Sequence, residues 1–152
     1  MQRKIMVLGT GGTIAGTSSV PGANVGYTAG QIGVAQLLAA IPGLEQVAGG
    51  ALEAEQIAQR DSKDMDFGVW ERLAQRCAAH LADPLVAGIV ITHGTDTLEE
   101  TAWLLHQLLD ASKPVVLTCA MRPATALAPD GPQNLLDAVT LAAEPAARGV
   151  LV

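Results

Sequence analysis

Short apolar segments alternate along this 152-residue chain with stretches whose apolar residues recur at helical spacing. Such alternation is typical of a parallel sheet, because each strand must return through a helix to the same edge of the sheet. Strands are predicted over 4–8, 52–58, 87–92, 114–119 and 149–152. The pattern therefore predicts a three-layer α/β fold, in which a mostly parallel sheet is covered by helices on both faces.

Helix starts are predicted from side chains that can accept a hydrogen bond from a first-turn backbone N–H. The predicted capping residues are Thr28, Asp66, Thr97 and Asp130. Both threonines are followed three residues later by Gln or Glu, as in a capping box. A Pro-Gly pair at 42–43 is predicted to end the first helix.

Two predicted strands continue directly into loops in which glycine stands next to threonine. The first strand is followed by Gly9-Thr-Gly-Gly-Thr13, and the third by His93-Gly-Thr-Asp-Thr97. Ligands of open α/β sheets bind outside the carboxyl ends of the strands, where glycine lets backbone amides approach a substrate. A threonine hydroxyl at either strand end is therefore a candidate nucleophile, and Asp96 could orient an ammonium group or relay a proton.

Both loops also have interpretations that involve no nucleophile. The first could be only a tight turn, or a dinucleotide-binding loop, although Ile14 replaces the last glycine of that fingerprint. Asp96 could merely complement a helix dipole. His93 could be a general base, but a hydrogen-bonded structural role is favoured for it, as for His80 and His106.

Charge and composition exclude several classes of partner. The formal net charge is -6 with no basic run, and aromatic residues make up 3% of the chain, so nucleic acid is not an expected partner. No apolar run is long enough to span a membrane. The two cysteines and three histidines lack metal-ligand spacing, so no metal site is predicted. A cytoplasmic protein is the default, although a mature periplasmic form would look the same.

Several motifs follow one another in a fixed order along the chain, and together they resemble the bacterial-type L-asparaginase family. The resemblance covers residues 5–152. It implies a flavodoxin-like or Rossmann-like amino-terminal domain over 1–152 with no second domain, in a truncated or short-form relative. The motifs are Thr10-Gly-Gly-Thr-Ile-Ala-Gly16, Tyr27-Thr-Ala-Gly30, Asp61-Ser-Lys-Asp-Met65, Ile91-Thr-His-Gly-Thr-Asp-Thr97, Glu99-Glu-Thr101, Ala120-Met-Arg-Pro123 and Asp130-Gly-Pro132.

The resemblance also implies an activity, with a role for each matching residue. L-asparagine, with L-glutamine as an open second substrate, would be hydrolysed to the acid and ammonia without a cofactor. Thr13 matches the nucleophile that forms an acyl-enzyme, and Tyr27 matches the loop tyrosine that activates it. Thr95 and Asp96 match the second threonine and its acid, which also pairs with the substrate α-ammonium. The remaining substrate-binding positions are Ser62, which matches the serine that holds the α-carboxylate, Lys63, Gly94 and Ala120.

The sequence departs from the family pattern in two places. Lys63 stands where relatives often carry glutamine or an acid, and a cation there could swing outward or alter substrate preference. The lysine that completes the threonine-aspartate pair in relatives comes after the strand with which this sequence ends. Relatives are usually longer and form tetramers, so a homo-oligomer is expected. A non-catalytic amino-acid-binding or subunit module is the alternative function.

Overall fold

A sheet of five parallel strands forms the centre of the computed structural model, which describes residues 3–152. The order across the sheet is β2-β1-β3-β4-β5, and every pairing is parallel. This is the flavodoxin-like order, whose direction reverses between the first and third strands. The strands are β1 (Lys4–Gly11), β2 (Ala51–Arg60), β3 (Val86–Thr92), β4 (Pro114–Thr118) and β5 (Gly149–Leu151).

Helices cover both faces of this sheet, so the predicted three-layer fold is confirmed. Successive side chains of a strand point to opposite faces, and β1 accordingly supplies Ile5 and Val7 to one core and Met6 and Leu8 to the other. The first core is closed by α1, α2 and α5, and the second by α3 and α4. The helices are α1 (Val34–Ala39), α2 (Leu44–Ala48), α3 (Phe67–Ala82), α4 (Leu98–Leu108) and α5 (Gly131–Ala143).

Burial explains which strands can be recognised easily from the sequence. β1, β3 and β4 are buried on both faces and are therefore continuous apolar runs. β2 lies at an edge, where Glu53 is exposed and Glu55 is half-buried, and its weaker pattern led to a prediction shorter than the observed strand. Within residues 3–152, none of the helices combines the length and apolar character that crossing a bilayer requires.

The predicted start of the first helix is wrong. α1 begins at Val34, whose backbone N–H donates to Gln56 Oε1 of β2 at 2.7 Å. Thr28 instead exchanges backbone hydrogen bonds with Thr17 in an isolated antiparallel bridge. A side chain distant in sequence thus caps this helix. The short helix α2, which follows the Pro-Gly pair at 42–43, has no counterpart in the prediction.

Of the other three predicted capping residues, one caps its helix and two do not. Asp66 caps α3 as predicted, because its Oδ1 accepts from the Val69 N–H at 2.9 Å. Thr97 and Asp130 occupy the positions before α4 and α5, but neither side chain makes a capping hydrogen bond. Both side chains instead hold other loops at the carboxyl end of the sheet.

A pair of leucines on α4 tests where the core lies. Leu105 is fully buried, whereas Leu108 is 60% exposed on the same helix. Leu105→Ala should lower the free energy of unfolding by about 2 to 5 kcal/mol, because a cavity replaces the lost contacts. Leu108→Ala should change it by less than about 0.5 kcal/mol. Urea denaturation of both variants measures the difference, and equal losses would contradict the packing described here.

Candidate functional site

The loops that follow β1 and β3 touch each other where the strand order reverses. Gly12 has a φ of 77°, and a Cβ built on it would lie 2.5 Å from the Cα of Gly94. Only glycine permits this approach, because any side chain would need both an unfavourable φ and the space that the neighbouring backbone fills. Thr13 and Thr95, which follow these glycines, are therefore held at the same end of the sheet.

The Thr13 hydroxyl is paired with the only tyrosine of the chain. Thr13 begins a short 3-10 turn and is 7% exposed, and its Oγ1 lies 2.8 Å from Tyr27 Oη in a hydrogen bond. Two backbone hydrogen bonds between Thr17 and Thr28 close the intervening loop. That closure returns Tyr27 to Gly16, where a Cβ would lie 2.9 Å from the ring. The loop thus delivers a phenol to the threonine.

Ser62 connects the end of β2 to the loop after β3. Its side chain is buried, and its Oγ accepts from the backbone N–H of Asp96 at 3.0 Å. The backbone carbonyl of Ser62 accepts from Thr97 Oγ1 at 2.9 Å. The hydroxyl predicted to cap α4 therefore bonds to the turn after β2. Since Ser62 Oγ accepts here, its own proton stays available to donate to a ligand oxygen.

Charged side chains surround the opening of the site. Asp96 is exposed, and Lys63 extends into solvent, where its Nζ lies 2.5 Å from Asp64 Oδ2 and 3.8 Å from Asp61 Oδ2. The hydrogen bond to Asp64 raises the pKa of Lys63, and the charges of Asp64, Asp61 and Asp96 add to that effect. Lys63 is therefore cationic, and it is paired with carboxylates other than Asp96.

A cavity of about 500 Å³ opens beside Tyr27. One side is formed by the segment 27–29 and the other by the end of β2 and the turn that follows it, so small polar ligands could enter there. Its lining is almost entirely polar or charged and comprises Tyr27, Thr28, Ala29, Gln59, Arg60, Asp61, Lys63 and Asp64.

Ala120 lies just after β4, in the loop at the carboxyl end of that strand. It is buried and packs with Ile14 and Ala15 behind the Thr13 turn. Ile14, which replaces the final glycine of a dinucleotide fingerprint, is thus a core residue here. The position of Ala120 sets where the β4 loop passes the Thr13 turn.

Asp130 fixes that loop, a contact that the sequence interpretation missed. Its two carboxylate oxygens accept from the backbone N–H groups of Met121 and Arg122 at 2.8 and 2.9 Å. Burial alone would raise the pKa of Asp130, but these donors outweigh it and the pKa lies below its usual value. An aspartate eight to nine residues from its partners gives no local signal beyond its resemblance to a helix cap.

His93 is fully buried, and neither of its ring nitrogens is hydrogen-bonded to the Thr13 hydroxyl. Its Nδ1 lies 2.8 Å from the Gly94 carbonyl oxygen, and its Nε2 lies 2.9 Å from Thr101 Oγ1. Burial lowers the pKa of His93, so the ring is neutral at neutral pH. With both nitrogens engaged in this way, His93 is placed as a structural group and not as a base for Thr13.

The cysteines take no part in the site. Cys77 is buried in the core under α3, and burial raises its pKa to about 12. Cys119 is half-buried, and burial raises its pKa too. Among residues 3–152, no group of three or more His, Cys, Asp or Glu side chains is arranged to hold a metal ion.

Taken together, the arrangement offers one buried hydroxyl paired with a phenol, a second threonine, a serine that can donate, and an exposed carboxylate. A hydroxyl with a neighbouring proton acceptor can attack a carbonyl carbon. A carboxylate and a donor hydroxyl beside it suit the two charged groups of an amino acid.

Comparison with known proteins identifies similar chains. The family model described as Asparaginase, N-terminal matches residues 4–152. L-asparaginase 2 of Bacillus subtilis is 44% identical over 145 residues, which are 95% of this chain and 38% of that protein. The probable periplasmic L-asparaginase of Haemophilus influenzae is 46% identical over 150 residues, 97% of this chain and 42% of that protein.

A solved structure shows the same similarity. The crystal structure of a probable cytoplasmic L-asparaginase from Campylobacter jejuni superposes with a TM-score of 0.93 at 44% identity. It covers 99% of this chain, and the match is 46% of that structure's chain. This chain therefore spans less than half the length of that structure and of the curated relatives named above.

The close approach of Gly94 to Ser62 can be tested directly. A Cβ at Gly94 would lie 2.8 Å from Ser62 Cβ and overlap its Oγ, so Gly94→Ala should destabilise the chain by about 1 to 3 kcal/mol. At Gly33 a Cβ would make an ordinary contact, 3.7 Å from Gln56 Oε1, and Gly33→Ala should have little effect. Denaturant unfolding compares the two, and a harmless Gly94→Ala would show that the loops are farther apart.

Proposed function

The chain belongs to the asparaginase family, and we propose that it hydrolyses the side-chain carboxamide of L-asparagine to give L-aspartate and ammonia. The observation that carries this proposal is the 2.8 Å hydrogen bond between the Thr13 and Tyr27 hydroxyls, beside the contact of Gly12 with Gly94. The names of the relatives support the substrate class. Because the chain spans less than half the length of these relatives, its own turnover is part of the proposal.

Thr13 is the proposed nucleophile. Its Oγ1 bonds to the carboxamide carbon, the carbon–nitrogen bond breaks, and the proton that Thr13 gives up ends on the departing nitrogen as ammonia. The product of this step is an ester between Thr13 and the aspartyl group. Water then adds to the ester carbonyl, its hydroxyl stays on the aspartate, and its remaining proton restores the threonine.

Tyr27 is the proposed activator of Thr13. When Thr13 donates in its 2.8 Å hydrogen bond to Tyr27 Oη, its proton faces away from the substrate and an oxygen lone pair faces the carboxamide. Tyr27 is only half-buried and belongs to the loop closed by Thr17 and Thr28, so it can cover the substrate after entry. Thr95, brought to the same end of the sheet, is the proposed second hydroxyl for proton transfer.

Asp96 and Ser62 are the proposed binding groups for the amino-acid end of the substrate. The Asp96 carboxylate pairs with the α-ammonium in a charge-assisted contact, and the Ser62 hydroxyl donates to the α-carboxylate. Because the Asp96 backbone N–H is bonded to Ser62 Oγ, the two residues are held next to each other. Lys63 is occupied by Asp64 and leaves Asp96 free.

Gly94 and Ala120 are proposed to shape the site rather than to react. Gly94 lets the β3 loop approach the β1 loop, and Ala120 supports the Thr13 turn from behind. L-glutamine as a second substrate stays a prediction. So does homo-oligomer formation, for which exposed apolar side chains such as that of Trp103 on α4 would supply contact area.

A cytoplasmic location also stays a prediction. The solved relative from Campylobacter jejuni is titled cytoplasmic, whereas the relative from Haemophilus influenzae is named periplasmic. Fractionation of cells that produce the protein from its own gene decides between the two locations.

Removing the nucleophile tests the reaction. Thr13→Ala should lower ammonia release from L-asparagine by at least about a thousandfold, because no other hydroxyl takes its place. Thr13→Ser, which keeps a hydroxyl, should retain measurable turnover, and Thr140→Ala, on the exposed side of α5, is the control outside the site. Unchanged turnover in Thr13→Ala would defeat the assignment. A wild-type chain that binds L-aspartate in calorimetry but releases no ammonia would favour the binding-module alternative.

Removing the site carboxylate tests substrate binding. Asp96→Asn keeps the shape but loses the charge, so the Kd for L-aspartate should rise by about tenfold or more, as charge-assisted hydrogen bonds are worth about 1.5 to 3 kcal/mol. Asp110→Asn, on an exposed residue beyond α4, is the matched control. Titration calorimetry measures both, and equal affinities would remove Asp96 from the binding site.

A further inference from the structure

A continuous line of hydrogen bonds runs from helix α3 through α4 to the loop that carries Thr95 and Asp96. Trp70 Nε1 donates to Thr101 Oγ1 at 2.8 Å, and Thr101 Oγ1 lies 2.9 Å from His93 Nε2. His93 Nδ1 then lies 2.8 Å from the carbonyl oxygen of Gly94. His93 and Thr101 are both fully buried, so water does not compete for these contacts.

The two ends of this line fix its direction. An indole N–H can only donate, and a carbonyl oxygen can only accept. The Gly94 carbonyl therefore requires a proton on His93 Nδ1, and a neutral ring then has a lone pair on Nε2. The Thr101 hydroxyl accepts a hydrogen bond from Trp70 and donates one to the lone pair on His93 Nε2. Each group has one role, and the histidine tautomer is set without any other partner.

The last bond orients a peptide group at the candidate site. A trans peptide places its C=O and its N–H on opposite sides. Because His93 holds the Gly94 carbonyl toward the buried side under α4, the Thr95 N–H must face away from that side. Gly94 has no side chain to restrict it, and its φ and ψ of -95° and 160° are those of extended backbone. The hydrogen bond from His93 therefore selects one orientation of this peptide.

We propose that His93 is a positioning residue, which uses its Nδ1–H to fix the Gly94–Thr95 peptide and so places Thr95 and Asp96 for the substrate. Trp70 and Thr101 serve it by keeping the proton on Nδ1. The expected effect on substrate binding rests on the proposed function. The anchoring of the loop does not, because it is a property of the chain without substrate. It differs from base catalysis, because neither ring nitrogen is free to accept the Thr13 proton.

Nuclear magnetic resonance of the full chain labelled with 15N-histidine tests the tautomer without any variant. The two ring nitrogens should give the signature of a neutral ring protonated on Nδ1, and the Nε2–H tautomer would overturn the proposal. His93→Leu and His93→Asn then test the anchor. Leucine removes the donor, whereas the asparagine side-chain N–H₂ can replace the Nδ1–H. His106→Leu, on the exposed side of α4, is the control.

The expected readout is local exchange of the Asp96 amide, which is protected by Ser62 Oγ. In His93→Leu this amide should exchange about tenfold faster, while the amides of Ile89–Ile91 in β3 keep their rates. The Kd for L-aspartate should rise about fivefold, the worth of one ordinary hydrogen bond. His93→Asn should recover most of both effects. Equal acceleration throughout β3, or no recovery in the asparagine variant, would reduce His93 to a packing residue.

These readouts separate this role from the proposed function. If the wild-type chain binds no L-aspartate, the proposed function fails, while the tautomer and the exchange rates still decide whether His93 anchors the loop. If the wild-type chain binds L-aspartate and His93→Leu binds it equally well, the positioning role fails and the proposed function stands. Where His93→Leu does not fold, Trp70→Phe removes only the outermost donor and should shift the Nε2 resonance.

Discussion

The contact between the backbones of Gly12 and Gly94 is the constraint on which the rest of the site depends. It joins the loops after β1 and β3 where the order of the strands reverses, the place at which open α/β sheets bind ligands. With a side chain at either position, the two threonines that follow could not share one cleft. The sheet supplies the alignment for this contact, since β1 and β3 are adjacent, parallel and buried on both faces.

Polar groups next to that contact are hydrogen-bonded to the neighbouring loops and strands. Thr10 ties the ends of β1 and β3 together through the Thr92 carbonyl at 2.8 Å. Ser62 accepts from the backbone of Asp96 and keeps its proton for a ligand. In the described part of the chain, no buried side-chain nitrogen or oxygen is without a hydrogen-bond partner. Full pairing is what makes a polar site of this kind rigid enough to position a substrate.

Local pattern was sufficient for the fold and for the placement of Thr13 and Thr95, because a buried parallel strand is a continuous apolar run and its end is marked by glycine. The helix starts show where local pattern fails. Thr97 and Asp130 stand at positions from which a side chain could cap the next helix. The Thr97 hydroxyl instead donates to the Ser62 carbonyl, which is distant in sequence. The Asp130 carboxylate accepts from the Met121 N–H, which lies in another loop. The approach of Tyr27 to Thr13 depends on a bridge between two loop segments, which no periodicity reports, and it was expected only from family resemblance.

A crystal structure of the chain with bound L-aspartate would show whether the cleft between the β1 and β3 loops holds an amino acid beside Thr13. We expect the α-ammonium at Asp96, the α-carboxylate at Ser62, and the side-chain carboxylate within hydrogen-bond reach of Thr13 Oγ1. L-aspartate bound elsewhere, or a Thr13 hydroxyl turned toward its own backbone and away from the ligand, would contradict this expectation.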